Sequence, residues 1–132
     1  GRPDPLQKMM IETVTAACEA LIEAVHPGAR VSELVSLGDT FLRDRGVSLS
    51  SEQNERGTVY AAFPPHWGHG IGLTWEEPWF VESEGSELQA GMYLAIEKAL
   101  FSPGIGTVTY EQNLLVTDAG CRTLSTTKKL WI

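Results

Sequence analysis

The chain has 132 residues, enough for one domain with a buried core, although an enzyme with a buried site is usually longer. Hydrophobic residues make up 42% and charged residues 20%, which is typical of an ordinary globular protein and excludes a disordered or fibrous one. The net charge of −7 opposes attraction to phosphates and to anionic lipids, so we expect neither nucleic acid nor a membrane as partner.

The localisation that the sequence predicts is the cytoplasm. No apolar run approaches the roughly 20 residues that span a bilayer, and the first residues show no apolar core of a signal peptide. Cys18 and Cys121 lie far apart and lack the spacing of a metal finger. We therefore predict two free thiols, as is usual in a reducing compartment.

The N-terminal third, at about residues 4–46, predicts two helices. Asp4, Pro5 and Gln7 have the pattern of an N-cap, a first-turn proline and a capping-box partner. Apolar residues recur behind them at helical spacing, and a second periodic segment follows. Gly38 interrupts that second helix, which is unfavourable for helix formation and indicates close packing at this position.

A polar loop at residues 47–57 precedes a region of about 58–132 in which the pattern changes to short apolar runs separated by turns. We predict an α+β domain, with two N-terminal helices packed on an antiparallel sheet. A bulge is predicted near Gln112, where two of these runs join. The predicted strands are Thr58–Phe63, Gly91–Glu97, Thr107–Glu111 continued by Asn113–Thr117, and Cys121–Leu124.

The candidate site begins at His69, which lies between Gly68 and Gly70. Small neighbours allow the backbone to approach a ligand closely, which suits a metal ligand, but a glycine-flanked histidine in a structural turn is the alternative. A phosphate site is not expected, because the glycine spacing matches neither nucleotide-binding fingerprint and no helix follows.

Glu97 and Glu111 interrupt apolar strand patterns on either side of a turn near residue 104. In an antiparallel hairpin they face each other, and directly opposed like charges are destabilising unless something compensates them. A divalent cation held with His69 would do so, since nitrogen and oxygen ligands suit Mn, Co, Fe or Zn. The alternative is that both glutamates are ordinary solvent-facing strand residues.

Several ordered motifs together resemble the M24 metallopeptidases of the pita-bread fold, which include Xaa-Pro aminopeptidases, prolidases and creatinase. The resemblance covers nearly the whole chain, and it implies that the chain is the C-terminal half of that fold. The short step from Glu97 to Glu111 is more similar to the prolidase and aminopeptidase P branch than to methionine aminopeptidases. The motifs are Gly68-His69-Gly70-Ile71-Gly72, Glu76-Glu77-Pro78, Gly91-Met92-x-Leu94-x-Ile96-Glu97, Pro103-Gly104-Ile105-Gly106, Glu111, and Leu115-Val116-Thr117-x-x-Gly120.

The resemblance implies a metal site with His69 as the histidine ligand, Glu97 as the first glutamate and Glu111 as the glutamate that bridges two divalent ions. Water bound between such ions is a nucleophile near neutral pH, and the ions polarise the scissile carbonyl. The expected activity of the parent protein is therefore hydrolysis of Xaa-Pro peptides. His66 matches a histidine that contacts substrate in some prolidase-like members, so it is the candidate catalytic residue.

The chain also departs from the family pattern. The family's two aspartate ligands precede the segment matched here, so we expect a C-terminal fragment that is inactive alone and lacks the ligands for tight metal binding. Trp75 or Glu76 stands where a histidine usually precedes Glu-x-Pro, and such a missing donor typically costs ~10²–10³ in rate. Lys98 replaces a proline, and Tyr110 stands where an arginine is common.

Two alternatives follow from these departures. One is a creatinase-like enzyme that acts on a small non-peptide substrate, since Trp67, Trp75 and Trp79 can line an apolar or cation-binding pocket. The other is a catalytically silent pita-bread binding module. In each case we expect a homodimer, because unpaired sheet edges and apolar surface promote association.

Overall fold

The computed structural model describes residues 2–50, 52, 55–61 and 64–126. Within these residues, two helices precede five strands, and the strands form one antiparallel sheet. The elements are α1 (Pro5–Glu23), α2 (Val31–Arg43), β1 (Gly68–Ile71), β2 (Trp75–Trp79), β3 (Tyr93–Ser102), β4 (Gly106–Thr117) and β5 (Gly120–Thr123). Their order across the sheet is β2-β1-β3-β4-β5. The predicted α+β class is confirmed.

Helix α1 begins as the sequence predicts. The Gln7 amide donates to Asp4 Oδ1 at 2.8 Å, and the Asp4 amide donates back to Gln7 Oε1 at 3.0 Å. This reciprocal capping box satisfies two backbone donors that a helix start leaves without partners, and Pro5 occupies the first turn. The helix then packs against β3 and β4.

The long β3–β4 hairpin separates the core from the site. Leu94, Ile96 and Leu100 alternate along β3 and are fully buried in the cluster that the helices complete. Successive side chains of a strand point to opposite faces, so Ala95 and Glu97 lie on the other face, away from the helices. That second face of the sheet carries the candidate site.

Close packing at Gly38, predicted from its place in α2, is present. A Cβ at this position would lie 2.7 Å from ring atoms of Trp67, which is fully buried. The indole nitrogen of Trp67 donates to Asp39 Oδ1 at 2.8 Å. Helix α2 thereby fixes the position of Trp67, the residue that precedes β1 and the site on that strand.

The sheet differs from the predicted strands in several places. The predicted strand Thr58–Phe63 is reduced to isolated bridges at Tyr60, and residues 62 and 63 lie outside the described part. The bulge predicted near Gln112 is wrong, because β3 and β4 pair without interruption from Tyr93 opposite Leu115 to Ser102 opposite Gly106. An irregularity occurs instead in the β1–β2 pairing, between His69 and Gly70.

The β1–β2 hairpin was not predicted as strands, because its glycines and prolines have low strand propensity. The last described strand ends at Thr123, and residues 127–132 of the predicted sheet lie outside the described residues. In the described part of the chain, neither helix has the length and apolarity needed to cross a bilayer.

Candidate metal centre

The glycines around His69 allow three strands to approach one another. Gly68 has a φ of +137°, and a Cβ there would lie 1.9 Å from the Ala95 carbonyl oxygen of β3. A Cβ on Gly70 would lie 2.4 Å from the Glu77 carbonyl oxygen of β2. The sequence suggested that these glycines make room for a ligand. In the structure they make room for neighbouring backbone, which fixes β1 and the histidine it carries.

His69 is oriented by its own strand. Its Nδ1 lies 2.8 Å from the Gly70 carbonyl oxygen. A carbonyl only accepts, so Nδ1 carries the proton in the neutral ring, and Nε2 keeps a free lone pair. Nε2 lies 3.7 Å from Glu97 Oε1, too far for a hydrogen bond. Histidine ligands of metals are commonly oriented through the other ring nitrogen in this way.

Glu97 and Glu111 are opposed in the structure, as predicted. They are direct partners in the β3–β4 register, so their side chains share the face of the sheet that carries His69. His69, Glu97 and Glu111 line one pocket of about 320 Å³, together with Asn113 and the less polar Ile71, Trp75 and Ala95. The three predicted metal ligands are therefore brought to one place.

His66 also reaches this cluster. Its Nδ1 lies 3.7 Å from the same Glu97 Oε1 that faces His69, and its ring packs edge-on against Trp79 with centroids 5.2 Å apart. Burial lowers the pKa of His66 below its usual 6.5, and the positive charge of Lys98 and the nearby His69 act in the same direction. His66 is therefore neutral at pH 7, and its buried Nδ1 has no hydrogen-bond partner among the described residues.

Lys98, which replaces the usual proline, supports the segment that carries His66. Its Nζ donates to the Pro64 carbonyl at 3.0 Å and to the His66 carbonyl at 3.2 Å, and it lies 5.1 Å from the centre of the Trp67 ring. Burial lowers its pKa to about 8, and the carboxylate of Asp39 opposes that shift. The sequence marks this lysine as a departure from the family pattern, but its role depends on contacts that only the fold creates. The sequence signal that could have indicated this role is the position of Lys98 within an apolar strand pattern. A lysine there is expected to be buried, and buried lysines are rare without partners.

Tyr110, the other departure, belongs to the core side of the sheet. Its hydroxyl donates to the Glu19 carboxylate of α1, and Gln112 Nε2 donates to the tyrosine oxygen at 3.2 Å. Burial and the Glu19 carboxylate raise the pKa of Tyr110. The side chain therefore connects helix and sheet, on the face opposite to that of its neighbour Glu111.

The tryptophans separate into two groups. Trp67 is fully buried against α2, so it belongs to the core. Trp75 and Trp79 pack together with ring centroids 6.2 Å apart, and both contact the His69 ring. Trp75 is 71% exposed and lines the pocket.

The donor set fits divalent metal binding without being complete. Across residues 2–50, 52, 55–61 and 64–126, no three His, Cys, Asp or Glu side chains are grouped closely enough to hold an ion by themselves. Two ligands of one ion lie roughly 3–3.5 Å apart, given ligand distances of about 2.1 Å, so His69 Nε2 and Glu97 Oε1 need only a small movement. One imidazole and two carboxylates on one face are suitable for Mn, Co, Fe or Zn.

Comparison with known proteins identifies the class to which this arrangement belongs. A family model described as "Metallopeptidase family M24" matches residues 1–118. The chain belongs to this family of metallopeptidases.

Individual relatives agree with that assignment. The chain is 28% identical over 131 residues to an Xaa-Pro dipeptidase of Pyrococcus furiosus, covering 98% of this chain and 34% of that protein. A solved prolidase of Pyrococcus horikoshii matches with a TM-score of 0.80 and 29% identity, over 97% of this chain and 34% of that one. A solved Xaa-Pro dipeptidase of Bacillus anthracis matches with a TM-score of 0.83 and 26% identity, over 100% of this chain and 34% of that one.

The chain therefore has the fold of part of a pita-bread peptidase, as the motifs implied. It spans about a third of the length of the curated relatives it matches.

Proposed function

We propose that this protein is a metal-dependent hydrolase that cleaves Xaa-Pro peptides, with His69, Glu97 and Glu111 as metal ligands. The observation that carries the proposal is the orientation of His69, whose Nε2 faces Glu97 while Glu97 stands directly opposite Glu111. Unless a cation lies between them, two opposed carboxylates on the exposed face of a sheet are unfavourable. The family membership and the Xaa-Pro dipeptidases among the relatives support the same function.

Each residue has a distinct role in this proposal. His69, Glu97 and Glu111 would hold the divalent metal. When bound, it would supply a nucleophilic water near neutral pH and polarise the scissile carbonyl. His66, kept neutral by burial beside Lys98, offers an uncharged imidazole to the substrate near Glu97. Trp75 and Asn113 line the same pocket, which receives the substrate.

We propose that a complete dinuclear centre needs two further carboxylate ligands beyond these three side chains. Structural and catalytic metal sites require their full ligand set for tight binding. The 132-residue chain alone is accordingly expected to bind metal weakly and to be inactive. The bound metal is Mn, Co, Zn or Fe, which all accept imidazole and carboxylate ligands.

The test uses the full-length protein with Mn²⁺ or Co²⁺ and a series of Xaa-Pro dipeptides. His69→Ala and Glu111→Gln should each lower kcat/KM by at least ~10²-fold, because the attacking water and the carbonyl lose their shared electrostatic support. Bound metal, measured by elemental analysis after dialysis, should fall in parallel. Asp118→Asn, an exposed carboxylate in the β4–β5 turn, is the control. Wild-type activity in His69→Ala and Glu111→Gln would refute the proposal.

A second candidate is a small non-peptide substrate, as for creatinase. The observation that favours it is Trp75, an apolar ring that lines the pocket of the proposed metal ligands, in the segment where Trp75 or Glu76 stands in place of the family's histidine. A metal-loaded protein that turns over none of the peptides but acts on an amide-containing metabolite would support this candidate. Failure of the full-length protein to bind metal at all would instead favour a silent binding module.

We also propose a cytoplasmic homodimer. In the described part of the sheet, β2 and β5 are the edge strands, and unpaired edges favour pairing with another chain. Leu73 and Leu124, which are exposed beside these edges, add apolar surface. A clean monomer by light scattering at high concentration would contradict the dimer.

A further inference from the structure

The pocket beside His69 has a polar and an apolar part. Glu97, Glu111 and Asn113 supply polar groups from β3 and β4. Ile71 and Trp75, which are partners in the β1–β2 register, form an apolar wall. At about 320 Å³ the pocket is at the small end of the range for small-molecule sites, which suits a ligand the size of a dipeptide.

Trp75 borders the pocket that contains the proposed metal ligands. Its ring centroid lies 5.8 Å from that of His69, and Glu97 and Glu111 line the same pocket. A substrate held near those ligands would therefore contact the Trp75 ring.

The ring of Trp75 is held in place before any ligand arrives. It packs at 81° to Trp79 with centroids 6.2 Å apart, and its centroid lies 5.8 Å from that of His69. Trp79 is itself held against the rings of both histidines. A surface that is already ordered loses little conformational entropy on binding, so its apolar area contributes more fully to affinity.

The neighbours of Trp75 favour an apolar partner over a cationic one. Ile71 is its direct partner in the β1–β2 register, and both side chains line the pocket. A cation would be drawn toward Glu97 and Glu111, where the proposed metal ions would neutralise that attraction. The side of the pocket that Trp75 forms is therefore suited to desolvating a bulky apolar side chain.

We propose that Trp75 is a specificity-determining residue, and that the substrates preferred by this protein carry a large apolar residue beside the cleaved bond. This inference rests on the proposed Xaa-Pro hydrolase function. The apolar side chain lies against the Trp75 ring and Ile71, while the peptide carbonyl faces the proposed metal ligands.

The experiment compares Phe-Pro and Gly-Pro as substrates of the full-length, Mn²⁺-loaded protein. We expect kcat/KM for Phe-Pro to exceed that for Gly-Pro by at least tenfold, since even one methylene group in an apolar pocket gives discrimination of about 10–200-fold. Trp75→Ala should reduce this ratio by about tenfold, mainly through KM, because binding to the wall is the same in ground and transition states. Trp75→Phe should retain most of the preference.

Leu73→Ala is the matched control, since Leu73 is fully exposed at the tip of the same hairpin and does not line the pocket. It should leave the Phe-Pro to Gly-Pro ratio unchanged. A ratio that Trp75→Ala leaves intact, or a wild-type preference for Gly-Pro, overturns the inference even if Xaa-Pro hydrolysis is observed.

If neither dipeptide is cleaved, the proposed function fails, but calorimetric binding of the intact dipeptides still decides the role of Trp75. Tighter binding of Phe-Pro than of Gly-Pro, lost in Trp75→Ala and kept in Leu73→Ala, supports the inference. Equal binding of the two dipeptides, or binding of neither, overturns it.

Discussion

Replacing Gly38 by alanine tests whether the packing of α2 on Trp67 supports the site. At an ordinary helix position this change is stabilising by about 1 kcal/mol. Here the new Cβ would lie 2.7 Å from two ring atoms of Trp67 and 2.9 Å from a third. The ring would have to retreat by roughly 0.7 Å to reach ordinary van der Waals contact, but it is fully buried and hydrogen-bonded to Asp39.

Overpacking of this kind costs about 1–3 kcal/mol. Because three ring atoms are affected and the ring has little room, we expect a cost near the upper end and a net loss of about 2 kcal/mol in the free energy of unfolding. The Trp67 carbonyl accepts the amide hydrogen of Glu97 at 3.1 Å, so a displaced ring should also disturb the proposed metal ligand and weaken metal binding.

Urea unfolding followed by circular dichroism measures the effect, with Ser36→Ala at an exposed position of α2 as the control. The double variant Gly38→Ala/Trp67→Phe separates sterics from helix propensity, because phenylalanine lacks the ring atoms that clash. In the Trp67→Phe background, Gly38→Ala should be neutral or stabilising. A Gly38→Ala variant that is about 1 kcal/mol more stable than wild type would refute this account of the interface.

Three further changes probe other parts of the chain. Gly68→Ala should lower the free energy of unfolding by more than about 4 kcal/mol or prevent folding, because the new Cβ would overlap the Ala95 carbonyl at a φ of +137°. The control is Gly85→Ala, which places a Cβ in open space and should have little effect on the melting temperature. Burial raises the pKa of the Cys18 thiol from 9.0 to about 12, so above pH 9 the folded state keeps a proton that the unfolded state loses. The free energy of unfolding should therefore decline between pH 9 and 12, by about 1.4 kcal/mol per pH unit from this group. Cys18→Ala should remove that contribution. An identical alkaline slope in both proteins would contradict that assignment. Tyr110→Phe should lower the free energy of unfolding by about 1.5–3 kcal/mol, because it removes the hydroxyl that donates to the Glu19 carboxylate. Tyr93 is half exposed on the other face of the sheet, so Tyr93→Phe should be close to neutral. Equal effects of the two changes would count against the helix-to-sheet contact.

Much of the fold and of the metal-ligand set was predictable because it depends on local or strictly periodic patterns. The capping box at Asp4 and Gln7 requires only neighbouring residues, and the pairing of Glu97 with Glu111 follows from a symmetric hairpin around one turn. The bulge expected at Gln112 was wrong because a polar residue in a strand can equally well be buried and hydrogen-bonded, as Gln112 is with Tyr110.

Other features were not predictable because their partners are distant in sequence. Lys98 and the carbonyl oxygens that it binds are more than 30 residues apart, and nothing in the strand pattern shows which backbone will meet a buried ammonium group. The β1–β2 hairpin was missed for a related reason. Its glycines lower strand propensity, and only the closeness of the neighbouring strands explains why they are there.

The sequence by itself determined the α+β class, the family and the identity of the three candidate metal ligands, since periodicity, turn residues and ordered motifs are properties of the chain. Only the tertiary structure decided how those ligands are oriented. The Gly70 carbonyl sets which nitrogen of His69 faces Glu97. The close packing of Gly68 and Gly70 against the neighbouring strands sets where the His69 ring lies. The same packing leaves Trp75 exposed beside the ligands, and that apolar wall is where the preference among substrates is proposed to arise.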